Sequence, residues 1–128
     1  MLRPSERKIL SAALELKTKS VGDVMTPLSK TYMLDINQQL DENLKRKIYE
    51  LGYSRIPIYE DSRENIVGIL MARDLILTNI DNSLFTIRQL STILVRDVIA
   101  VDHKTKLEVL LTFLKRSHSH FAIVTEVV

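Results

Sequence analysis

Two imidazoles at alternate positions, His118 and His120, carry the most recognisable metal-ligand spacing in this chain. Alternate residues of a strand share a face, so the pair could hold one ion. No third ligand stands at a fixed distance, and His103 falls in a predicted turn. Catalytic signatures are missing: there is no G-x-S-x-G, no Walker A and no G-x-G-x-x-G, and Gly22, Gly52 and Gly68 are isolated. No carboxylate pair stands apart from helix and turn charges, so no catalytic residue is assigned and an enzyme is not expected. Lys45-Arg46-Lys47 follows Asp41 and Glu42 on one predicted helix, which reads as a solvated face. Aromatic content of 5% without Trp argues against a base-stacking nucleic-acid platform.

The elements that must position any site follow from periodicity. Pro4 to Leu16 reads as a helix with Ile9, Leu10, Ala13, Leu14 and Leu16 as its stripe. Met25-Thr26-Pro27 is a turn or helix end, and Pro27 biases Thr26 toward extended backbone. Tyr32 to Ile36 is a short strand. A helix from about Asp41 to Leu51 carries Leu40, Leu44, Ile48 and Leu51, with Gly52 at the left-handed cap. Arg55 to Tyr59 is a strand, short or at an edge because it contains Pro57. Glu60 to Asn65 is a polar turn, Ile66 to Met71 a strand buried on both faces, and Arg73 to Asn79 the next helix. Ile80 to Ser83 is a linker and Phe85 to Leu90 a helical turn. Ile99 to Val101 is a strand, and Thr105 with Glu108 forms a capping box for the helix Lys106 to Arg116. Leu107, Leu110, Leu111 and Leu114 face inward there, and Phe121 to Val127 is the last strand.

These elements repeat. Aligning Ser54 with Ser119 gives an offset of 65 residues, which brings Ile36 onto Val101, Leu44 onto Val109, Ile48 onto Phe113, Ile56 onto Phe121 and Ile58 onto Ile123. A duplicated unit buries a shared core between its copies and leaves a cleft where ligands sit. The same offset brings His118 and His120 onto Tyr53 and Arg55, which favours a structural or pocket-wall role over a metal site. The expected segments are 1–20, a leading helix and linker; 21–83, a first β-α-β-β-α repeat; and 84–128, an incomplete second repeat. Equivalents of Gly68 and Asp74 would fall at positions 133 and 139.

The 128 residues suffice for one compact domain or two small fused ones, with a net charge of +2. Without cysteine there are no disulfides and no thiolate metal sites. The longest apolar run, Ile66 to Ala72, falls far short of the ~20 residues that span a bilayer. The N-terminus has no apolar signal core, and the fragment is expected to be soluble.

The stretches Ala13 to Val21, Asp23-Val24-Met25-Thr26-Pro27-Leu28, Gly52 to Glu60, Asn65 to Leu70 and Arg73-Asp74-Leu75 resemble a tandem pair of cystathionine-β-synthase (CBS) domains. More narrowly, they are similar to the cytosolic module of the cyclin M (CNNM) and CorC family of magnesium-transport proteins. Ser117 to Val124 matches the second repeat. The resemblance implies an α/β (α+β) tandem CBS pair, a Bateman module, with pseudo-twofold symmetry. It implies a parent protein with a transmembrane domain, this module lying on the cytoplasmic face. It also implies ATP with Mg²⁺ bound between the repeats, favouring a closed homodimer of modules whose state passes to the membrane part. In animal members a loop of the second repeat recruits a phosphatase, and that loop would begin beyond Val128.

Carried over residue by residue, Thr26 is expected near the base or ribose, Tyr53 and Ile56 along the adenine, and Arg55 on phosphate through its guanidinium fork. Ser54 and the Ile56 backbone would meet the base edge, and Pro57 would shape the strand. The plain alternatives are a capping aromatic at Tyr53, a surface cation at Arg55 and a turn end at Thr26. A second, weaker pocket would contain Asp74, His118, His120 and Phe121. Met71 stands where the family places a hydroxyl, so this pocket is expected to be empty or degenerate. Because the second repeat is incomplete, ATP binding by these residues is expected to be weak or absent. A different class of function stands beside the nucleotide module: a dimerisation and protein-docking platform with a vestigial site.

Overall fold

The computed structural model describes residues 3–77, 85–119 and 121–125. The expected linker at 80–83, the end of the last strand and His120 lie outside the described residues. In chain order the elements are α1 (Pro4–Thr18), α2 (Val21–Val24), a 3₁₀ turn (Leu28–Lys30), β1 (Leu34–Asp35), α3 (Glu42–Leu51), β2 (Arg55–Glu60), β3 (Ser62–Met71), α4 (Ala72–Leu77), α5 (Ser91–Leu94), β4 (Val95–Arg96), β5 (Ala100–Asp102), α6 (Leu107–Arg116) and β6 (Ile123–Thr125). They form two compact units, Pro27–Val98 and Met1–Thr26 with Ile99–Val128. The chain segments are thus exchanged: 21–26 joins the later unit in space, and 85–98 joins the earlier one.

The unit Pro27–Val98 holds a four-stranded sheet in the order β1-β2-β3-β4. The parallel pair β1 and β2 is bridged by α3, and the β2–β3 hairpin is antiparallel, so β-α-β-β-α is the observed order. α3 starts where Asp41 Oδ1 accepts the Leu44 amide at 2.8 Å and stops at Gly52, whose φ of 72° is left-handed. Leu44 and Ile48 from its inner face, and Leu40 just before its N-cap, join Leu34, Ile36, Ile56, Ile58, Leu70, Ile87, Leu90 and Leu94 in one core. Leu51, the fourth expected stripe position, is the last residue of the helix and is exposed.

Three expectations for this unit need correction. β2 is an interior strand despite Pro57. The Ala72 amide donates to Ser54 O at 3.0 Å, which makes 54/72, 56/70 and 58/68 the bonded pairs of the hairpin. Pro57 therefore turns its nitrogen away from β3, toward a side where β1 pairs first with Ile58. No ladder bond is lost, which is why the proline is tolerated. The broad polar turn contracts to Asp61, at a φ of 66°, and β3 already begins at Ser62. Finally, β3 is buried on both faces only at Gly68, Ile69 and Leu70; Val67 is 37% exposed. At Gly68 the strand β4 comes so close that an added Cβ would stand 2.2 Å from Val95 Cγ1 and 2.9 Å from Arg96 O.

The second unit pairs β5 with β6 in parallel, Ala100 opposite Ile123 and Asp102 opposite Thr125. Its hydrogen bonds repeat those of the first unit. There, Leu40, Ile87 and Arg88 amides donate to Phe85, Gln38 and Ile36 carbonyls. Here, Leu107, Val21 and Gly22 amides donate to Lys19, Thr105 and His103 carbonyls. Ile36 thus corresponds to His103, 67 residues on, whereas α3 and α6 remain 65 apart. The turn before the helix is two residues shorter in the second copy, so the gapless match of Ile36 to Val101 is corrected.

The same deletion removes the capping box. The N-cap of α6 is Lys106 without a side-chain cap, and the Thr105 amide instead donates to Asp102 O at 3.0 Å. Burial is unequal as well. Leu44, Ile48, Ile56 and Ile58 are buried, while Val109 and Phe113 are exposed and Phe121 and Ile123 half-buried. On α6 Leu110 is buried, Leu107 and Leu114 are half-buried, and Leu111, expected inward, is exposed. The stripe of α1 is solvent-facing too: Ile9, Leu10 and Leu14 are exposed. The strand expected from Phe121 begins at Ile123.

Candidate functional site

The candidate wall is built where α3 ends and β2 begins. Gly52 reverses the chain, and Tyr53, Ser54 and Arg55 follow within one short passage. The Tyr53 ring stacks on that of Tyr32, with centroids 5.8 Å apart and planes inclined by 14°. Tyr53 remains 49% exposed, so the stack leaves much of the residue open to solvent. Lys47 Nζ lies 5.8 Å from the Tyr32 ring centre, within cation–π range. Burial pushes the Tyr32 phenol above its usual pKa of 10 by disfavouring the phenolate. Beside this ring opens a hollow of about 350 Å³, bordered by Tyr32, Gln38, Asp41, Leu44 and Lys47.

Strand pairing sorts the neighbouring backbone. Ser54 O is taken by the Ala72 amide at 3.0 Å. Ile56 sits in a bonded pair with Leu70, which commits its amide and carbonyl to the hairpin. Its side chain is 0% exposed and belongs to the core, so neither part of Ile56 is available to line an open wall in this arrangement. Arg55 is the reverse case. Its backbone groups point to the β1 side, before that ladder begins, and its side chain is half-buried opposite Met71. Pro57, two residues further along β2, is buried. Thr26 is exposed and directly follows Met25, the extended C-cap of α2, in the other unit.

The second expected pocket has a different look at each residue. Asp74, 9% exposed on α4, is held by Arg96 of β4, whose Nη2 lies 3.2 Å from its carboxylate oxygens. This carboxylate is therefore already paired by the chain's own cation. His118 is exposed in a turn, at a φ of 51°, rather than on a strand. The geometric premise of a shared metal face with His120 therefore does not apply at His118. Phe121 is half-buried and exchanges hydrogen bonds with the Ser119 hydroxyl. His103 has its Nδ1 3.0 Å from Asp102 Oδ1. Among the described residues no three His, Cys, Asp or Glu side chains gather into a metal-holding group.

Sequence reasoning missed Tyr32, Lys47 and Arg96. Tyr32 precedes its stacking partner by 21 residues, and only the return of the chain through α3 brings the rings together. Arg96 reaches Asp74 through the β3–β4 pairing, which no local pattern signals. Nor does any local pattern mark Arg63 within the expected polar turn. Its Nη2 donates to Leu28 O and Thr31 O, both at 2.9 Å, and so clasps the turn that follows Pro27.

Comparison with known proteins places this geometry. Residues 21–79 match the model of the CBS domain. A DUF21 domain-containing protein of Arabidopsis thaliana is 35% identical over 96% of the chain, which spans 28% of that relative. A second DUF21 domain-containing protein of the same plant is 33% identical over 96% of the chain, again spanning 28% of the relative. The chain thus covers little more than a quarter of these proteins. Among solved structures, the CBS domain of a bacterial CNNM/CorC family Mg²⁺ transporter in complex with ATP superposes with a TM-score of 0.83 at 29% identity, covering 96% of this chain and 84% of that one. Among the described residues no helix is long and apolar enough to cross a membrane. A CBS model matching residues 21–79, the repeated hydrogen-bond pattern and this superposition agree: the chain carries a CBS domain and has the fold of the CBS domains solved from CNNM/CorC family Mg²⁺ transporters.

Proposed function

We propose that this chain is a regulatory module that binds an adenine nucleotide, Mg-ATP, weakly, in the millimolar range, on the wall formed by Tyr53, Ser54 and Arg55. The observation that carries the reading is the half-exposed Tyr53 ring, stacked on Tyr32 and two residues ahead of Arg55, which heads β2. An aromatic face accepts a purine, and a guanidinium fork accepts phosphate in bidentate fashion. The similarity to a CBS domain solved with ATP supports the choice of ligand. Thr26, beside Pro27 in the chain, is a further candidate contact, and Pro57 keeps the strand in shape. Pocket residues Asp74, His118, His120 and Phe121 make a weaker second candidate, since Arg96 already engages Asp74. The role is regulatory rather than catalytic. In the whole protein the module sits on the cytoplasmic face of a membrane, dimerises with a second copy, and passes nucleotide occupancy to a transmembrane Mg²⁺-transport domain.

Thermal melting of the protein with Mg-ATP tests this. A ligand that binds the folded state raises the midpoint with concentration, by about 1.4 kcal/mol of stability at ten times Kd. Arg55→Ala is expected to abolish the shift. No shift at millimolar Mg-ATP overturns the reading. One observation favours the docking-platform alternative: Val109, Leu111 and Phe113 are exposed on α6. Sedimentation that shows a dimer insensitive to ATP would select it.

A further inference from the structure

We infer that Tyr32 is a positioning residue, the fixed lower ring of a stacking platform whose upper ring, Tyr53, selects a purine over a pyrimidine base. The inference rests on the nucleotide-binding reading and names what sets its base preference. Tyr53 follows the helix-ending Gly52 in an exposed passage outside helix and strand, so its ring needs a constraint from elsewhere in the chain. Tyr32 supplies that constraint. It is half-buried just before β1, and its ring lies nearly parallel to Tyr53 at an offset-stack distance of 5.8 Å.

Tyr32 is itself held. Two residues after it the chain enters β1, where Leu34 and Asp35 pair with Ile58 and Tyr59 of β2. Both rings are thus anchored to the same strand: Tyr53 leads directly into β2, and Tyr32 leads into the strand paired with it. Lys47, on the exposed side of α3, places its ammonium over the Tyr32 ring. A ring ordered before the ligand arrives loses less freedom on binding. The larger face of a purine overlaps such a ring better than a pyrimidine does, whereas the phosphates gain nothing from it. The role of Tyr32 is therefore confined to the base.

The experiment compares ATP, CTP and tripolyphosphate, each with Mg²⁺, by calorimetry on the wild type, Tyr32→Phe and Tyr32→Leu. Tyr32→Leu is expected to weaken ATP about 3- to 10-fold, the range of an aromatic pair. It should narrow the ATP-to-CTP ratio and leave tripolyphosphate unchanged, while Tyr32→Phe restores wild-type behaviour. Equal loss for all three ligands, or no loss for ATP, overturns the inference while leaving the nucleotide reading intact. Failure of the wild type to bind ATP overturns both. A second measurement needs no variant. The Tyr32 ring-proton signals of the wild type should move with ATP and stay still with tripolyphosphate; signals unmoved by ATP contradict the stack.

Discussion

Gly68→Ala is the substitution whose sign the structure decides most clearly. In a strand, alanine normally gains about 0.5–1 kcal/mol over glycine through lower chain entropy. Here the new Cβ would lie 2.2 Å from Val95 Cγ1 and 2.9 Å from Arg96 O. Carbon atoms rest at about 3.5–4.0 Å, so the first contact overlaps by more than an ångström. Valine has few χ1 wells to escape into. The second contact is backbone, and relieving it means moving β4 away from Ile69 and Leu70. That movement would also pull Arg96 from Asp74. Overpacking of this kind costs about 1–3 kcal/mol, which outweighs the entropic gain. A net loss of about 1–2 kcal/mol lowers the melting midpoint by about 5–10 °C in a domain of this size. Melting followed by circular dichroism reads it directly. The double variant Gly68→Ala with Val95→Ala removes the methyl contact but keeps the carbonyl one, so it should recover the loss only in part. An unchanged or raised midpoint in the single variant refutes the close packing of β4 on β3.

Asp41→Ala removes the carboxylate that caps α3 through the Leu44 amide and should cost about 1 kcal/mol in denaturant unfolding. The Ser20 amide, and then its hydroxyl, at 2.9 and 3.1 Å, hold the Asp23 carboxyl below its usual pKa of 3.8. The folded state therefore binds this proton less readily than the unfolded one. Its contribution is present above the unfolded pKa and disappears as pH falls through the folded value. Asp23→Asn should flatten that part of the acid limb, seen as a weaker fall of the melting midpoint below about pH 4.

Much of the first unit was legible because its local signals agree with its packing. Leu44 and Ile48 face the core from one side of α3, Leu40 is buried just ahead of its N-cap, and Gly52 takes the left-handed cap, as periodicity and residue type put them. Pro57 misled because its meaning depends on which way its nitrogen points, and that is set by a partner strand rather than by the residue. The second unit was read less well for a physical reason: a gapless offset assumes equal turns, and the shortened turn moved His103 to the place of Ile36 and left Lys106 where Asp41 caps. At the site, Tyr53 and Arg55 stood out by type. Tyr32, Lys47, Arg63 and Arg96 act through contacts made across elements, and a linear pattern carries no trace of those. Ile56 had the right neighbours for a wall, yet the core claims its side chain and the hairpin its backbone.

Amide NMR of the protein during titration with Mg-ATP tests the central claim most directly. Signals of Tyr53, Ser54 and Arg55 should shift together and saturate on one binding curve, and Arg55→Ala should displace that curve to higher concentration. Saturating shifts that leave these three residues unmoved, or no shifts at millimolar nucleotide, would contradict the account.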